Sequence, residues 1–211
     1  MKKVLLIIFV VSGLFYGCNS GKNVAGFSKI KKSIDTLEVL PIDLQIKTVD
    51  FFNVQKYDPQ LEKVVKADIL DQINTVLNKK YKIAISDSNC ISDSLLYVDL
   101  ERMSDFIDNQ KNPLKDIQVP SSFIDIKKNL KYKYSLILIV RSQYCINFPD
   151  QNNTLWINPL VNTYINQYLF LIDNLNNKIL HYKKTKTLGN ISGKLAVEQI
   201  TLESLRNIYY K

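Results

Sequence analysis

Apolar residues follow two different periods along this chain, and the periods predict its strands and helices. Ile42, Leu44 and Ile46 alternate with polar residues, as in a strand with one buried face. From Asp58-Pro59, an N-cap residue followed by proline at the first helical position, apolar residues recur at helical spacing as far as residue 77. We expect a strand there, then a long amphipathic helix.

The second half of the chain carries stronger strand patterns. Tyr134 to Val140 is almost uniformly apolar and β-prone, as expected for a central strand covered on both faces. Residues 164–173 and 178–186 flank Asn174-Leu175-Asn176-Asn177 and predict a hairpin. A short strand is predicted at 81–85, and further helices near 92–107, 121–130 and 193–210. This order predicts an α/β domain, with α+β as the alternative, in which about five strands form a mixed sheet with three or four packed helices.

The first eighteen residues have the layout of a secretory signal peptide. Lys2 and Lys3 are followed by an apolar run from Val4 to Val11, and Gly17 directly precedes Cys18. The cysteine at the cleavage point makes the segment resemble a bacterial lipoprotein signal. The resemblance implies cleavage before Cys18, a diacylglyceryl group on its thiol and an acylated new amino terminus.

Two alternatives compete with that interpretation. A membrane-spanning helix needs roughly 20 apolar residues, whereas the run from Val4 to Tyr16 is interrupted by Ser12 and Gly13. A signal peptide without lipidation would leave Cys18 as a free thiol in an oxidising compartment. Lipidation explains the cysteine, because each buried methylene adds about 0.8 kcal/mol of membrane affinity. In the lipoprotein family Asp after the cysteine favours the inner membrane; Asn19 stands here and favours the outer one.

We therefore predict three regions. Residues 1–17 form the signal peptide, and residues 18–35 contain the lipidated cysteine and a flexible, polar tether. Residues 36–211 form a single globular envelope domain, long enough to bury a core.

The charge of the chain is basic but scattered. The formal net charge is +8, and Lys2 and Lys3 contribute two of these charges to the predicted signal peptide. No arginine-rich stripe or RNA-recognition aromatic motif accompanies the lysines, so nucleic acid is not an expected partner. Attraction to anionic lipid headgroups fits this composition.

Cysteine and histidine offer little for catalysis or metal binding. Cys90 and Cys145 could form one disulfide in an exported domain; the alternative is an exposed thiol at Cys90 and a buried one at Cys145. A metal site is not expected, because there is no Cys-x-x-Cys and His181 is the only imidazole. We expect His181 to be a half-exposed strand residue, and we predict no cofactor.

Two segments carry a resemblance to known proteins. In Phe123–Leu138 a short helix leads into a buried strand, and in Leu169–Leu180 a strand, a turn centred on Asp173 and a return strand follow. There the chain resembles a group of envelope proteins: the N-terminal domain of TolB and the curli-secretion and penicillin-binding-protein-activator lipoproteins. The resemblance spans about half of the mature chain. It implies an accessory protein that works by protein contacts, and it supplies no catalytic residues.

We therefore expect a lipid-anchored, non-catalytic interaction or assembly factor of the cell envelope, with an envelope protein as its partner. The loop at 148–159 is the predicted docking surface, through Trp156, Phe148 and Leu155, because Trp is over-represented among interface hot spots. The alternative is that Trp156 packs back onto the domain as a loop anchor.

The competing function is a periplasmic small-ligand-binding protein or a hydrolase. The chain has no Gly-x-Ser-x-Gly, no His-Glu-x-x-His and no glycine-rich phosphate loop. The acid pairs Asp99 with Glu101 and Asp105 with Asp108 could serve general acid–base chemistry. On a helix, such acids usually form a solvated face.

Overall fold

A strand of twelve residues, Tyr134–Cys145, organises the fold of the computed structural model, which describes residues 20–49, 54–86, 94–145, 163–188 and 191–210. The described residues form eight strands and five helices. The strands are β1 (Ser20–Asn23), β2 (Thr36–Val39), β3 (Asp43–Val49), β4 (Gln55–Tyr57), β5 (Lys82–Ile85), β6 (Tyr134–Cys145), β7 (Tyr164–Asp173) and β8 (Lys178–Leu188). The helices are α1 (Phe27–Lys32), α2 (Pro59–Leu77), α3 (Ser94–Asp108), α4 (Ser121–Lys127) and α5 (Lys194–Tyr209).

The sheet is mixed, and β6 lies at its centre. On one side β6 pairs antiparallel with β7, which forms a hairpin with β8, and β1 adds antiparallel to β8. On the other side β6 pairs in parallel first with β2 and then with β3. A parallel β5 extends the sheet beyond β2, and an antiparallel β4 extends it beyond β3. Two ends of the sheet follow from this register. The upper end contains Ser20, Cys145, Tyr164 and Leu188, and the lower end contains the β7–β8 turn at 174–177.

Helices cover both faces of the sheet, so successive side chains of β6 enter different cores. Leu136 and Leu138 pack in the core with residues of α1, α2 and α5. Ile137 and Ile139 pack in the opposite core with residues of α3 and α4. The predicted central strand with two covered faces is thus confirmed, and so is the α/β class.

The start of α2 shows how local sequence signals connect to the sheet. The Asp58 carboxylate accepts a hydrogen bond from the Leu61 backbone N–H at 3.0 Å, which confirms the predicted N-cap. Its second oxygen accepts from the Tyr144 hydroxyl of β6 at 2.9 Å. In the first turn, the Glu62 carboxylate accepts from the Ile46 N–H of β3 at 2.9 Å. The first turn of the helix is therefore fixed to two strands.

The described residues contain more elements than the sequence predicted: eight strands in place of about five, and five helices in place of three or four. The extra strands β1, β2 and β4 have only three or four residues each, too short to show a period. Residues 20–32, expected within a flexible tether, form β1 and α1, and Phe27 is buried in the core. The folded domain therefore begins well before Thr36.

The expectation for His181 was wrong. Its side chain is fully buried in β8, stacked on the Phe27 ring with 5.3 Å between ring centroids. Its Nδ1 lies 2.6 Å from the Asn23 Oδ1 of β1. Burial lowers the pKa of His181 to about 3, and the nearby charge of Lys183 acts in the same direction. The physical reason is α1, which covers this part of the sheet and was not expected there.

Candidate functional sites

Several residues singled out from the sequence lie outside the described residues: Cys18, Cys90, Phe148, Leu155 and Trp156. Lipidation, the disulfide and the docking loop therefore stay predictions.

For Cys145 the structure describes the backbone, which ends β6 opposite Val49 of β3.

Two acidic residues of α3, Glu101 and Asp108, pair with cations of the sheet, whereas the Asp105 side chain is 81% exposed. Glu101 and Asp43 both contact the Arg141 guanidinium of β6: Nη2 of Arg141 lies 2.9 Å from Glu101 Oε2 and 2.6 Å from Asp43 Oδ2. Arg141 Nε donates a second hydrogen bond to Glu101 at 3.0 Å. Asp99 accepts from the Ser122 hydroxyl of α4 at 2.7 Å. These contacts fix α3 across the face of the sheet.

A second ion pair continues this network along α3. Lys184 of β8 lies 3.2 Å from Asp108 and 3.7 Å from Asp105, and its ammonium is 5.3 Å from the centre of the Tyr168 ring. Burial raises the pKa of Tyr182, with the neighbouring Asp108 acting in the same direction. Both acid pairs that suggested acid–base chemistry are therefore engaged at least in part by Arg141 and Lys184. These ion pairs connect α3 to β6 and β8.

The described residues offer neither a metal cluster nor a membrane-spanning helix. Within them, no three His, Cys, Asp or Glu side chains come together in a way that could hold a metal ion. None of the five helices in the described part of the chain has the length and apolar character to cross a bilayer.

An open groove of about 1120 Å³ lies between α1, α2 and α5. Lys31, Lys79 and Arg206 line it together with Glu203, so its walls carry more positive than negative charge. Burial lowers the pKa of Lys31. The Lys31 ammonium donates to the carbonyls of Asn207 and Tyr210, at 2.9 and 2.5 Å. The groove could accept a small anionic molecule near Lys79 and Arg206.

The carbonyls at the end of α5 are bound by three side chains from other elements. Besides Lys31, the Lys80 ammonium donates to the Ile208 carbonyl at 3.1 Å, and the Tyr81 hydroxyl donates to the same carbonyl at 3.0 Å. Burial raises the pKa of Tyr81 to about 12, so the hydroxyl stays a donor at neutral pH. Cations and donors at a helix C-terminus satisfy carbonyls that have no partner within the helix.

The β1 strand makes the corresponding contact with α3. The buried Lys22 ammonium donates to the carbonyls of Ile107 at 2.8 Å, Asp108 at 2.6 Å and Gln110 at 2.5 Å. On the other face of β1, Gly21 lies against α5: a Cβ at Gly21 would be 2.5 Å from Nδ2 of Asn207. The segment next to Cys18 is thus fixed to helices on both faces of the sheet.

The sequence could have indicated only some of these contacts. Arg141 is one of three arginines and directly follows a buried apolar strand, a position at which a guanidinium needs an acidic partner. That signal points to the α3 acids. Lys22, Lys31 and Lys80 lie among many similar lysines, and nothing in the sequence distinguishes these three as the ones that bind helix ends.

Comparison with known proteins assigns no family. No family profile matches the chain, and no curated protein matches it. The PelC dodecamer from Paraburkholderia phytofirmans is similar, with a TM-score of 0.42 and 10% identity over 92% of this chain and 100% of that one. Lipoprotein GNA1162 from Neisseria meningitidis has a TM-score of 0.31 and 9% identity, over 74% and 81% of the two chains. The LpoB C-terminal domain from Salmonella enterica has a TM-score of 0.30 and 11% identity, over 77% and 93%. At these TM-scores the likeness carries no functional argument.

Proposed function

We propose that this chain is a lipid-anchored protein of the bacterial cell envelope that acts as a non-catalytic interaction or assembly factor. The observation that carries the proposal is the order of Lys2-Lys3, the apolar run from Val4, and Gly17 before Cys18. Acyl chains on Cys18 would hold the folded domain at a membrane. Asn19 after the cysteine favours the outer membrane over the inner one.

The position of β1 determines how closely an anchor on Cys18 would hold the domain to the membrane. Ser20 is already part of β1 and paired with Lys184, and Cys18 precedes it by only two residues. Two residues span at most about 7 Å. A lipid on Cys18 would therefore hold the domain directly at the membrane surface, where it could present a defined side to a partner.

Two acids of α3 that could serve acid–base catalysis, Glu101 and Asp108, are held in ion pairs within the domain. Glu101 and Asp43 share the Arg141 guanidinium, and Asp108 pairs with Lys184. Carboxylates held in ion pairs serve a fixed architecture. We propose the loop that contains Phe148, Leu155 and Trp156 as the docking surface, on the basis of its sequence alone.

In-cell cross-linking tests the proposed function. The tagged full-length protein is cross-linked in its host, the membrane fraction is purified, and the partners are identified by mass spectrometry. Cys18→Ala is the matched control, because it removes the acylation site and leaves the described domain unchanged. One dominant envelope partner, recovered with the wild type and lost with Cys18→Ala, is the expected result. Equal recovery of abundant bystanders with both forms would contradict the proposal.

Trp156→Ala then tests the docking loop. We expect partner recovery to fall while the unfolding temperature stays within a few degrees of wild type, since an interface residue contributes little to the isolated fold. A large loss of stability without selective loss of the partner would instead identify Trp156 as a loop anchor.

The groove between α1, α2 and α5 favours a second candidate, a periplasmic protein that binds a small anion. Lys79 and Arg206 line the groove and could bind phosphate or carboxylate groups. A thermal-shift screen with inorganic phosphate and small dicarboxylates tests this candidate. A shift that disappears in Arg206→Gln would support it, and no shift with any of these anions would count against it.

A further inference from the structure

We propose that the upper end of the sheet is a membrane-contact surface, formed by Lys186 and Leu188 of β8 and by Lys194 and Leu195 of α5, that seats the domain on an anionic lipid bilayer. This inference deepens the proposed function and rests on lipid anchoring at Cys18. We call these four residues the seating patch.

The first step is the exposure of the patch. Leu188 is 61% exposed and Leu195 is 68% exposed, and in α5 this is a larger exposed fraction than the 43% of Leu202. Lys186 and Lys194 are exposed as well. A single exposed leucine needs no explanation. Two exposed leucines, each within two residues of an exposed lysine, thus supply apolar and positive groups at the same end of the domain.

The second step is the position of the patch relative to the point where the chain enters the fold. Ser20 pairs with Lys184, and Leu188 lies four residues further along β8, about 13 Å at the usual rise of a strand. Because β1 is antiparallel to β8, the chain that precedes Ser20 approaches from the side of Leu188. The α5 helix begins at Lys194, shortly after β8 ends, so its first turn belongs to the same end.

The third step is the choice of occupant. Cys18 cannot be more than about 7 Å from Ser20, so acyl chains on it would bring the bilayer to this end of the domain. Lysines next to exposed leucines suit the boundary between headgroups and acyl chains, since the ammonium meets lipid phosphate and the leucine enters the apolar region. Each lysine close to an anionic surface contributes about 1 kcal/mol. The geometry therefore points to lipid rather than to a second protein.

The lower end of the sheet supplies a matched control. Leu175 in the β7–β8 turn is 68% exposed, the same fraction as Leu195, and Lys131 before β6 is also exposed. A contact driven only by generic hydrophobicity and charge would respond to changes at either end.

The test is co-sedimentation with vesicles that separates the seating patch from the acyl anchor. Residues 18–211 with Cys18→Ser retain every described helix and strand and carry no acyl chain. This form is mixed with vesicles of phosphatidylcholine and phosphatidylglycerol in a two-to-one ratio, or of phosphatidylcholine alone. Lys186→Gln with Lys194→Gln, and separately Leu188→Ser with Leu195→Ser, are compared with the control Lys131→Gln with Leu175→Ser. Circular dichroism confirms that each variant is folded.

We expect binding only to the anionic vesicles, and a loss of about fivefold for each lysine removed, from about 1 kcal/mol per lysine. The leucine pair should lose binding as well, and the control pair should not. Binding that is absent, or equally strong in all variants, would overturn the inference. The inference would also be overturned if the wild type sediments as a dimer and the leucine variants sediment as monomers, because the patch would then bind a second copy of the chain.

The intact mass of the full-length protein, purified from membranes, reports the anchor independently. Acylation at Cys18 without patch-dependent vesicle binding would overturn the seating patch and leave the proposed anchor standing. An unmodified Cys18 with patch-dependent binding would overturn the anchor and retain the lipid contact.

Discussion

Replacing Lys22 by methionine tests whether the segment next to Cys18 is part of the stable fold. Methionine keeps an apolar stem of similar length and removes the ammonium that donates to three carbonyls at the end of α3. Hydrogen bonds to a charged group contribute about 1.5–3 kcal/mol, and a buried cation at a helix C-terminus contributes up to about 2 kcal/mol. Relief of the desolvation of the buried ammonium offsets part of this sum. We expect Lys22→Met to lower the free energy of unfolding by about 2–3 kcal/mol.

The assay is urea unfolding followed by circular dichroism, with hydrogen exchange as a local readout. For a domain of this size, 1 kcal/mol corresponds to about 2–4 °C in Tm, so the variant should melt about 4–12 °C lower. Exchange should accelerate first in the last turn of α3, whose carbonyls lose their partner. Lys29→Met is the control, because Lys29 is an exposed lysine of α1. If the two variants unfold within about 0.5 kcal/mol of each other, a typical effect for a surface change, Lys22 does not fix α3 and the reasoning fails.

Three further predictions concern the core and the α3 network. His181 keeps a folded-state pKa of about 3, so only the unfolded chain takes up its proton between about pH 3 and 6.5; stability therefore rises with pH across that window. Between pH 7 and pH 5 the wild type should lose about 2 kcal/mol of unfolding free energy through His181. Urea titrations at the two pH values should show no such loss for His181→Asn. If the variant's unfolding free energy falls with pH as much as that of the wild type, the assignment to His181 is contradicted. Arg141→Met leaves Glu101 and Asp43 unpaired and should destabilise by about 2–3 kcal/mol, while the exposed Arg102→Met should change stability by less than about 0.5 kcal/mol; similar midpoints in urea would refute the network. Phe123→Ala removes a fully buried ring of α4 and should lower the free energy of unfolding, measured by calorimetry, by about 3–5 kcal/mol. A change of less than about 1 kcal/mol would contradict this prediction.

Local sequence patterns predicted the elements that are specified by capping residues, apolar runs or turn residues within the element itself. Asp58-Pro59 marked the start of α2 because an N-cap and a proline act within a few residues. Tyr134 to Val140 indicated a strand with two covered faces, because nearly every position is apolar. The hairpin around residues 174–177 followed from its turn residues, and all of these segments are present in the structure.

The polar elements could not be predicted in this way. The β1 sequence is Ser-Gly-Lys-Asn, with no apolar period, and its strand conformation depends on β8 far along the chain. Lys22 is buried because α3 ends beside it with carbonyls to satisfy, a fact that its own neighbourhood in the sequence does not contain. The same reason made His181 look half-exposed. For the α3 network, the position of Arg141 after an apolar run indicates that it needs an acidic partner. Which acids lie beside it depends on the order of the strands, which the sequence does not show.

The pairing of β1 with β8 also has a consequence for the order of folding. Ser20 pairs with Lys184, so nearly the whole described chain must be available before this edge can close. Contacts between such distant segments carry a large loop-closure cost and form late. A chain that emerges with its amino terminus first would hold residues 20–32 unpaired until β8 is made. Until then β8 offers an open strand edge, the kind of surface that recruits other chains. The last strand to dock therefore also covers part of this edge, from His181 to Lys184.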